Sequence, residues 1–197
     1  FVELQLPSAS LSVISVRGTA TGPDVLRDID VWVEATLAQY TLFVLPGFSF
    51  VAPEVGGAVV AAPMAPPSSP LPPQMVSQAS SAKFWQPVVD HIGVAQRRSN
   101  NVVVVGHSLG GGLAKIAGSL TGHPVFTLSA PGLFYTRTKV GLTLHDLDTL
   151  VTTVIPANDV IPLIDQQRGM LQYVPCASNT ASDCHSVRRT TMTLINA

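Results

Sequence analysis

The sequence has little charge. Only 12% of its 197 residues are Asp, Glu, Lys or Arg, and this is roughly half the usual share in globular proteins. Eleven basic residues stand against twelve acidic ones, which gives a formal net charge of −1. A chain without a net positive field does not bind nucleic acid by neutralising phosphates, so that class is excluded. Hydrophobic residues make up 46% of the chain, and this content excludes intrinsic disorder.

The sequence also lacks an unbroken hydrophobic run of the ~20 residues that a membrane-spanning helix needs. Residues 35–82 carry a single charged side chain, Glu54, but prolines and glycines interrupt this stretch repeatedly. We interpret residues 35–82 as an apolar, Pro-rich lid or insertion. It either packs on the core or presents an apolar surface to lipid. The length of the chain predicts one domain over residues 1–197.

Cysteine is scarce, and its two copies, Cys176 and Cys184, lie in one polar, loop-like stretch. Two thiols at this spacing across a turn fit a small disulfide loop, which is typical of oxidising compartments. The alternative is that both cysteines remain free thiols. A metal site is disfavoured because no second pair of Cys or His residues accompanies them at the spacing found in zinc fingers. A bridge would indicate a secreted protein or one in an oxidising lumen, with membrane association left open.

Short strands and helices follow one another along the chain. Runs of β-branched residues predict buried strands, and apolar residues three or four positions apart predict helices. The predicted strands cover residues 11–16, 102–105, 124–128 and 149–155, and the predicted helices cover 22–39, 84–95 and 113–120. This succession predicts an α/β fold whose sheet is mostly parallel, with helices on both faces.

A glycine-rich motif directly after the valine strand carries the strongest chemical signal. Residues 106–110 read Gly-His-Ser-Leu-Gly and fit the G-x-S-x-G pattern, which places a serine at a sharp strand-to-helix turn. The backbone of such a serine is strained, so its neighbours must be small. The strand before the motif and the helix after it favour a nucleophilic Ser108. The alternative is a glycine-rich turn that caps an ordinary helix.

A nucleophilic serine needs a base, and in this architecture the chain order is serine, acid, histidine. Among the five histidines, His185 alone follows both Ser108 and an acid placed after a further strand. We assign the remaining histidines to structural roles; they are His91, His107, His123 and His145.

The favoured acid is Asp159, which follows the predicted strand over residues 149–155 in a loop bracketed by prolines. Catalytic groups gather at the C-terminal ends of parallel strands. Asp165, six residues later, is the competitor. The predicted chemistry is covalent acyl transfer, in which His185 removes the proton of Ser108 and Asp159 fixes the imidazole tautomer. Protonation of His185 at low pH should therefore slow hydrolysis.

An acyl-transfer site also needs two donors for the developing oxyanion. One is the backbone N–H of Leu109, the residue after the nucleophile. We assign the second to Thr19, in the loop that follows the first predicted strand, through its N–H and hydroxyl. We interpret Arg17, in the same loop, as a buried structural cation paired with Asp28 or Asp30.

At these residues the chain resembles the class 3 (fungal-type) lipases, a family of α/β-hydrolases. Four segments carry the resemblance; they are residues 13–19 (VISVRGT), 106–114 (GHSLGGGLA), 158–162 (NDVIP) and 184–186 (CHS). The first is similar to the oxyanion strand and loop of the family, the second to its nucleophile turn and the third to its acid loop. The fourth is similar to the short histidine signature of one branch.

The resemblance implies hydrolysis of acylglycerols or related lipid esters, without a metal or an organic cofactor and often under a mobile lid. It also implies a triad of Ser108, Asp159 and His185, with Thr19 and Leu109 in the oxyanion hole. The implied partner is a lipid ester substrate, at a membrane or lipid-droplet interface.

The chain departs from the family in having few residues before its first motif. The N-terminal part of the family fold is therefore expected to be missing. Either the chain is processed or truncated, or a missing N-terminal segment or a second chain pairs with it. Two alternatives keep the chemistry and change the substrate, namely a phospholipase A1 and a small-ester esterase. A third alternative is a catalytically silent lipase-like scaffold that binds a partner.

Overall fold

The structure is a computed structural model that describes residues 1–18, 32, 83–178 and 180–195. Several predictions fall outside these residues. They are the helix over residues 22–39 apart from Trp32, the lid or insertion over residues 35–82, the position of Thr19, and the acidic partners Asp28 and Asp30.

The described residues form a sheet flanked by helices. The strands are β1 (Val2–Leu6), β2 (Leu11–Val16), β3 (Asn101–His107), β4 (Val125–Leu128), β5 (Val151–Pro156) and β6 (Met170–Val174). The helices are α1 (Gln86–Gln96), α2 (Ser108–Leu120), α3 (Leu144–Leu150), α4 (Ala181–Cys184) and α5 (Val187–Ile195).

The strand order across the sheet is the order along the chain, from β1 to β6. β1 pairs with β2 antiparallel, and every later pair in the described sheet is parallel. The register aligns Val16 with Gly106 and Gly106 with Thr127. The C-terminal ends of β2, β3 and β4 therefore meet at one edge of the sheet. This arrangement confirms the predicted α/β-hydrolase type of fold with a mostly parallel sheet.

Helix α2 lies at the centre of the core. It packs against β2, β3 and β4. Helix α1 packs against α2, β2 and β3. Residues Leu109 to Ser119 of α2 are all buried, so this helix is enclosed on every side. The indole of Trp32 also reaches α2, close to Gly112, and its N–H donates to the carbonyl of Gly132 over 2.8 Å.

The edge strand β1 is fastened to the helical layer by a polar cluster. Glu3 accepts hydrogen bonds from Ser12, His91 and Arg98 over 3.0, 2.8 and 2.8 Å. Hydrogen bonds from Gln5, Ser12 and His91, together with the charge of Arg98, lower the pKa of Glu3 to about 2. His91 therefore joins α1 to β1.

The sheet face that carries Val2, Leu4 and Leu6 looks away from Glu3, because alternate residues of a strand point to opposite faces. These three side chains are 61%, 57% and 45% exposed. Phe126 of β4 is 44% exposed. None of the helices that the structure describes has both the length and the hydropathy of a membrane span.

Several predicted boundaries moved by one or more residues. The strand predicted over residues 149–155 begins at Val151, because α3 continues to Leu150. Thr143 and Asp146 start α3 with reciprocal hydrogen bonds between side chain and backbone, and such a capping box fixes the first turn of a helix. The loop-like stretch between the cysteines also contains a short helix, α4.

Candidate active site

The turn between β3 and α2 presents Ser108 at the C-terminal edge of the sheet. His107 is extended, with φ −125° and ψ 143°, and Ser108 has φ 60°. A positive φ is costly for a residue that carries a Cβ. A Cβ on Gly106 would lie 2.6 Å from the carbonyl oxygen of Gly110. Only glycine at position 106 lets the helix begin this close to the strand that precedes it.

His185 lies against Ser108 although 77 positions separate them along the chain. Its Nε2 is 2.9 Å from the Ser108 Oγ. His185 follows the last residue of α4, where its backbone N–H donates to the carbonyl of Ala181. The preceding residue, Cys184, is bonded to Cys176. The predicted disulfide is therefore present, and it closes the loop that ends directly before the imidazole.

Asp159 lies on the other side of the imidazole ring. Its Oδ1 and Oδ2 are 3.1 and 3.0 Å from Nδ1 of His185. The backbone N–H of Ile161 also donates to Oδ1 over 3.0 Å. Asp159 follows β5 after Asn158, whose φ is 65°. The bend at Asn158 turns the chain so that the carboxylate faces His185.

The acceptors around His185 determine its tautomer. A carboxylate is only an acceptor, so Nδ1 carries the hydrogen that is donated to Asp159. Nε2 then has a free lone pair and accepts the hydroxyl hydrogen of Ser108. Burial alone would raise the pKa of Asp159, but hydrogen bonds, led by the one from His185, outweigh it and lower this pKa below its usual value. The carboxylate thus stays ionised beside the imidazole, and this arrangement can transfer a proton away from the hydroxyl.

The neighbouring histidine, His107, holds the loop of His185 from the other side. Its Nε2–H donates to the backbone carbonyl of His185 over 2.8 Å, and the two rings lie 4.7 Å apart. Burial lowers the pKa of His107, which favours the neutral ring. The contact fits the structural role predicted for this residue.

The competing acid, Asp165, occupies a different environment. Its carboxylate accepts hydrogen bonds from the backbone of Tyr135, Thr136 and Gln166 and from the Thr136 hydroxyl. Burial raises its pKa, and these donors only partly oppose that effect. Asp165 joins its own loop to the segment that follows β4.

The structure describes part of the region predicted to form the oxyanion hole. Leu109 is buried in the first turn of α2, directly after Ser108. Gly18, the last described residue before Thr19, lies beside Ser108, since a Cβ on Gly18 would be 3.4 Å from the Cβ of Ser108. Arg17 is exposed, so its predicted burial as a structural cation is wrong. It directly follows Val16, the final residue of β2.

The sequence analysis assigned no role to Lys115, a buried polar residue on α2. Lys115 is 2% exposed in the middle of α2. The available signal was a single cation inside the apolar helical stretch over residues 113–120. Among the residues that the structure describes, no group of three or more His, Cys, Asp and Glu side chains is arranged to hold a metal ion.

The profile of the family described as lipase (class 3) matches residues 13–168. The chain belongs to the class 3 lipase family. Its membership supports a lipase-like activity on carboxylic esters, and it accounts for the α/β-hydrolase fold around Ser108 and Asp159. The match ends before Cys176 and His185, so the place of this last segment depends on the geometry alone. No curated protein matches this class 3 lipase chain.

Proposed function

We propose that this class 3 lipase hydrolyses lipid esters, as an acylglycerol lipase, through a covalent intermediate on Ser108. The observation that carries the proposal is the continuous chain of contacts from Asp159 through His185 to the Ser108 hydroxyl. The imidazole lies between the carboxylate and the hydroxyl, with one ring nitrogen toward each, and this orientation supports acyl transfer.

In the proposed reaction His185 accepts the hydroxyl proton as the Ser108 Oγ attacks the ester carbonyl. The tetrahedral intermediate collapses, and the alcohol leaves with the proton that His185 now carries. Water repeats the sequence on the acyl-enzyme and releases the fatty acid, so Ser108 regains its proton. Asp159 holds the imidazole in one tautomer and stabilises its transient positive charge.

The negative charge on the carbonyl oxygen develops next to the N-terminus of α2. The backbone N–H of Leu109 and the positive end of the helix dipole are suited to stabilise it. Thr19 remains our candidate for the second donor, because Gly18 directly before it is adjacent to Ser108.

Exposed apolar side chains next to the site favour a lipid over a small dissolved ester. Val160 and Leu163 follow Asp159 in the same loop and are 53% and 70% exposed. Exposed apolar surface beside a site is typical of contact with lipid. The loop that carries the acid therefore offers an apolar surface to acyl chains or to a lipid interface.

Labelling with a fluorophosphonate followed by peptide mapping tests the chemistry. We expect one adduct, on Ser108, and Ser108→Ala should lower kcat for an ester by about 10⁶-fold. Ser119→Ala is the matched control, since Ser119 is a buried serine on the same helix, and its activity should equal that of the parent. A protein that is unlabelled and inert on every ester would instead be a silent scaffold.

The substrate class is tested by comparing emulsified trioleoylglycerol, a phosphatidylcholine vesicle and dissolved p-nitrophenyl butyrate. We expect a preference for the emulsified triacylglycerol. The double variant Val160→Ser/Leu163→Ser should lose activity on the emulsion and keep it on the dissolved ester. A preference for phosphatidylcholine would identify a phospholipase, and equal loss on both ester forms would contradict the role of this surface.

A further inference from the structure

Lys115 is an unusual residue to find buried in the middle of α2. It lies seven positions after Ser108 on α2, about two helical turns away. A lysine is almost never fully buried unless acceptors surround its ammonium group. Its Nζ donates to the carbonyl of Pro131 and to Oε1 of Gln167, each over 2.8 Å.

The lysine determines the orientation of Gln167. An amide side chain has one accepting and one donating end, whereas lysine only donates when charged. The amide oxygen of Gln167 therefore faces Lys115, and its Nε2 faces two carbonyls. It donates to Ala130 over 2.9 Å and to Pro162 over 2.8 Å.

Pro162 connects this network to the acid. It lies in the short 3-10 turn Ile161–Leu163, which begins two residues after Asp159. The N–H of Ile161, in the same turn, donates to the Asp159 carboxylate. A continuous path of hydrogen bonds and backbone thus runs from the helix of the nucleophile through Gln167 to the acid.

We propose that Lys115 is a positioning residue, which fixes the loop carrying Asp159 relative to the helix carrying Ser108. The inference rests on the function proposed above, since it assigns a task within that reaction. Ser108 and Asp159 come from different parallel strands, and the His185 ring bridges them only if their separation is fixed. Lys115 reaches from α2 to both loops beyond the strands, on the β4 side through Pro131 and on the β5 side through Gln167.

The protonation state of Lys115 is compatible with this task. Burial lowers its pKa to about 7, while the negative charge of Asp165 opposes the shift. The neutral amine keeps two N–H groups, enough for both acceptors, and the ammonium form has three. The link to Pro131 and Gln167 therefore persists in either form.

The test uses Lys115→Met, which keeps the length of the side chain and removes its donors. We expect kcat for dissolved p-nitrophenyl butyrate to fall about 10- to 100-fold, as small displacements of reacting groups do, with KM within about twofold. Rates are expressed per site titrated with a fluorophosphonate, so unfolded protein does not count. Lys115→Gln, whose amide donates again, should recover part of kcat, and the exposed Lys83→Met is the control.

Gln167→Met breaks the same link from the loop side and decides the question if Lys115→Met fails to fold. We expect the same fall in kcat with unchanged KM. If Lys115→Met folds, a kcat per titrated site within about twofold of the parent would overturn the inference. If it does not fold, the same result in Gln167→Met would do so. Either result leaves the proposed hydrolysis intact. An inert, unlabelled parent protein would overturn both.

Discussion

Asp159 and Asp165 are two carboxylates, six residues apart in one loop, whose surroundings differ in kind. Both are buried, with exposed fractions of 4% and 2%. Asp159 faces the imidazole of His185, and its pKa is lowered. Asp165 faces backbone N–H groups and one hydroxyl, and its pKa is raised.

The difference shows that burial alone does not assign a role to a carboxylate. Burial raises the pKa of both groups; hydrogen bonds outweigh this effect at Asp159 and only partly oppose it at Asp165. The partner of Asp159 is an imidazole, which can take up a proton, so this carboxylate is suited to take part in a proton transfer. Neutral amide donors give Asp165 the means to hold two chain segments together.

The largest contrast is expected in catalysis. Asp159→Asn should lower kcat by about 10⁴-fold, because the amide can donate to Nδ1 and so favours the wrong tautomer of His185. Asp165→Asn should keep kcat within about threefold once folded protein is counted by phosphonate titration. Steady-state kinetics on a dissolved ester measures both. A comparable loss in the two variants would remove the distinction between a reacting and a structural acid.

Stability should show the reverse order. Asp165→Asn places an NH₂ group against the N–H and O–H donors of Thr136 or the N–H donors of Tyr135 and Gln166. Unpaired buried donors cost about 1–3 kcal/mol each, so we expect the free energy of unfolding to fall by about 2–4 kcal/mol. Asp159→Asn keeps an oxygen for the Ile161 N–H and should cost less. Urea denaturation at pH 7 gives both values, and a greater cost at position 159 would contradict this assignment.

The smallest effect is the pH dependence of these stabilities. Asp159 has a lowered pKa when folded, so its contribution is present above the unfolded pKa and is lost as the pH falls. Asp165 has a raised pKa, so the part of its contribution that depends on proton binding is largest at low pH and is lost as the pH rises through the folded value. The stability gap between parent and Asn variant should therefore widen with rising pH at position 159 and narrow at position 165. Urea titrations from pH 3.5 to 7 measure both slopes, and slopes of equal sign would refute the opposed shifts.

Strands with a long apolar signal were predictable from the sequence. The β-branched runs over residues 11–16 and 102–105 became β2 and β3, because strands covered by helices carry continuous apolar residues. β1 and β6 were missed, since each is five residues long and mostly exposed. Such strands are stabilised by pairing with a neighbour, and that partner is invisible in a local pattern.

The polar contacts of the site were less predictable than its candidate residues. The chain order of serine, acid and histidine led to Ser108, Asp159 and His185, which the fold brings together. Lys115 and Gln167 stand 52 positions apart, and no local pattern relates them. Arg17 was assigned to the interior as a cation paired with Asp28 or Asp30, whereas the structure leaves it exposed directly after β2.

The beginning of α2 and the end of β2 leave each other no clearance. A methyl group on Gly110 would overlap the backbone of Arg17, and one on Gly106 would meet Gly110. These two backbone segments must therefore move together as a rigid unit. Neither glycine can be replaced by a residue with a Cβ. The imidazole, by contrast, arrives on a separate cross-linked loop. Libraries that seek new ester preferences should hence diversify the loops after β5 and β6 and leave the turn between β3 and α2 unchanged.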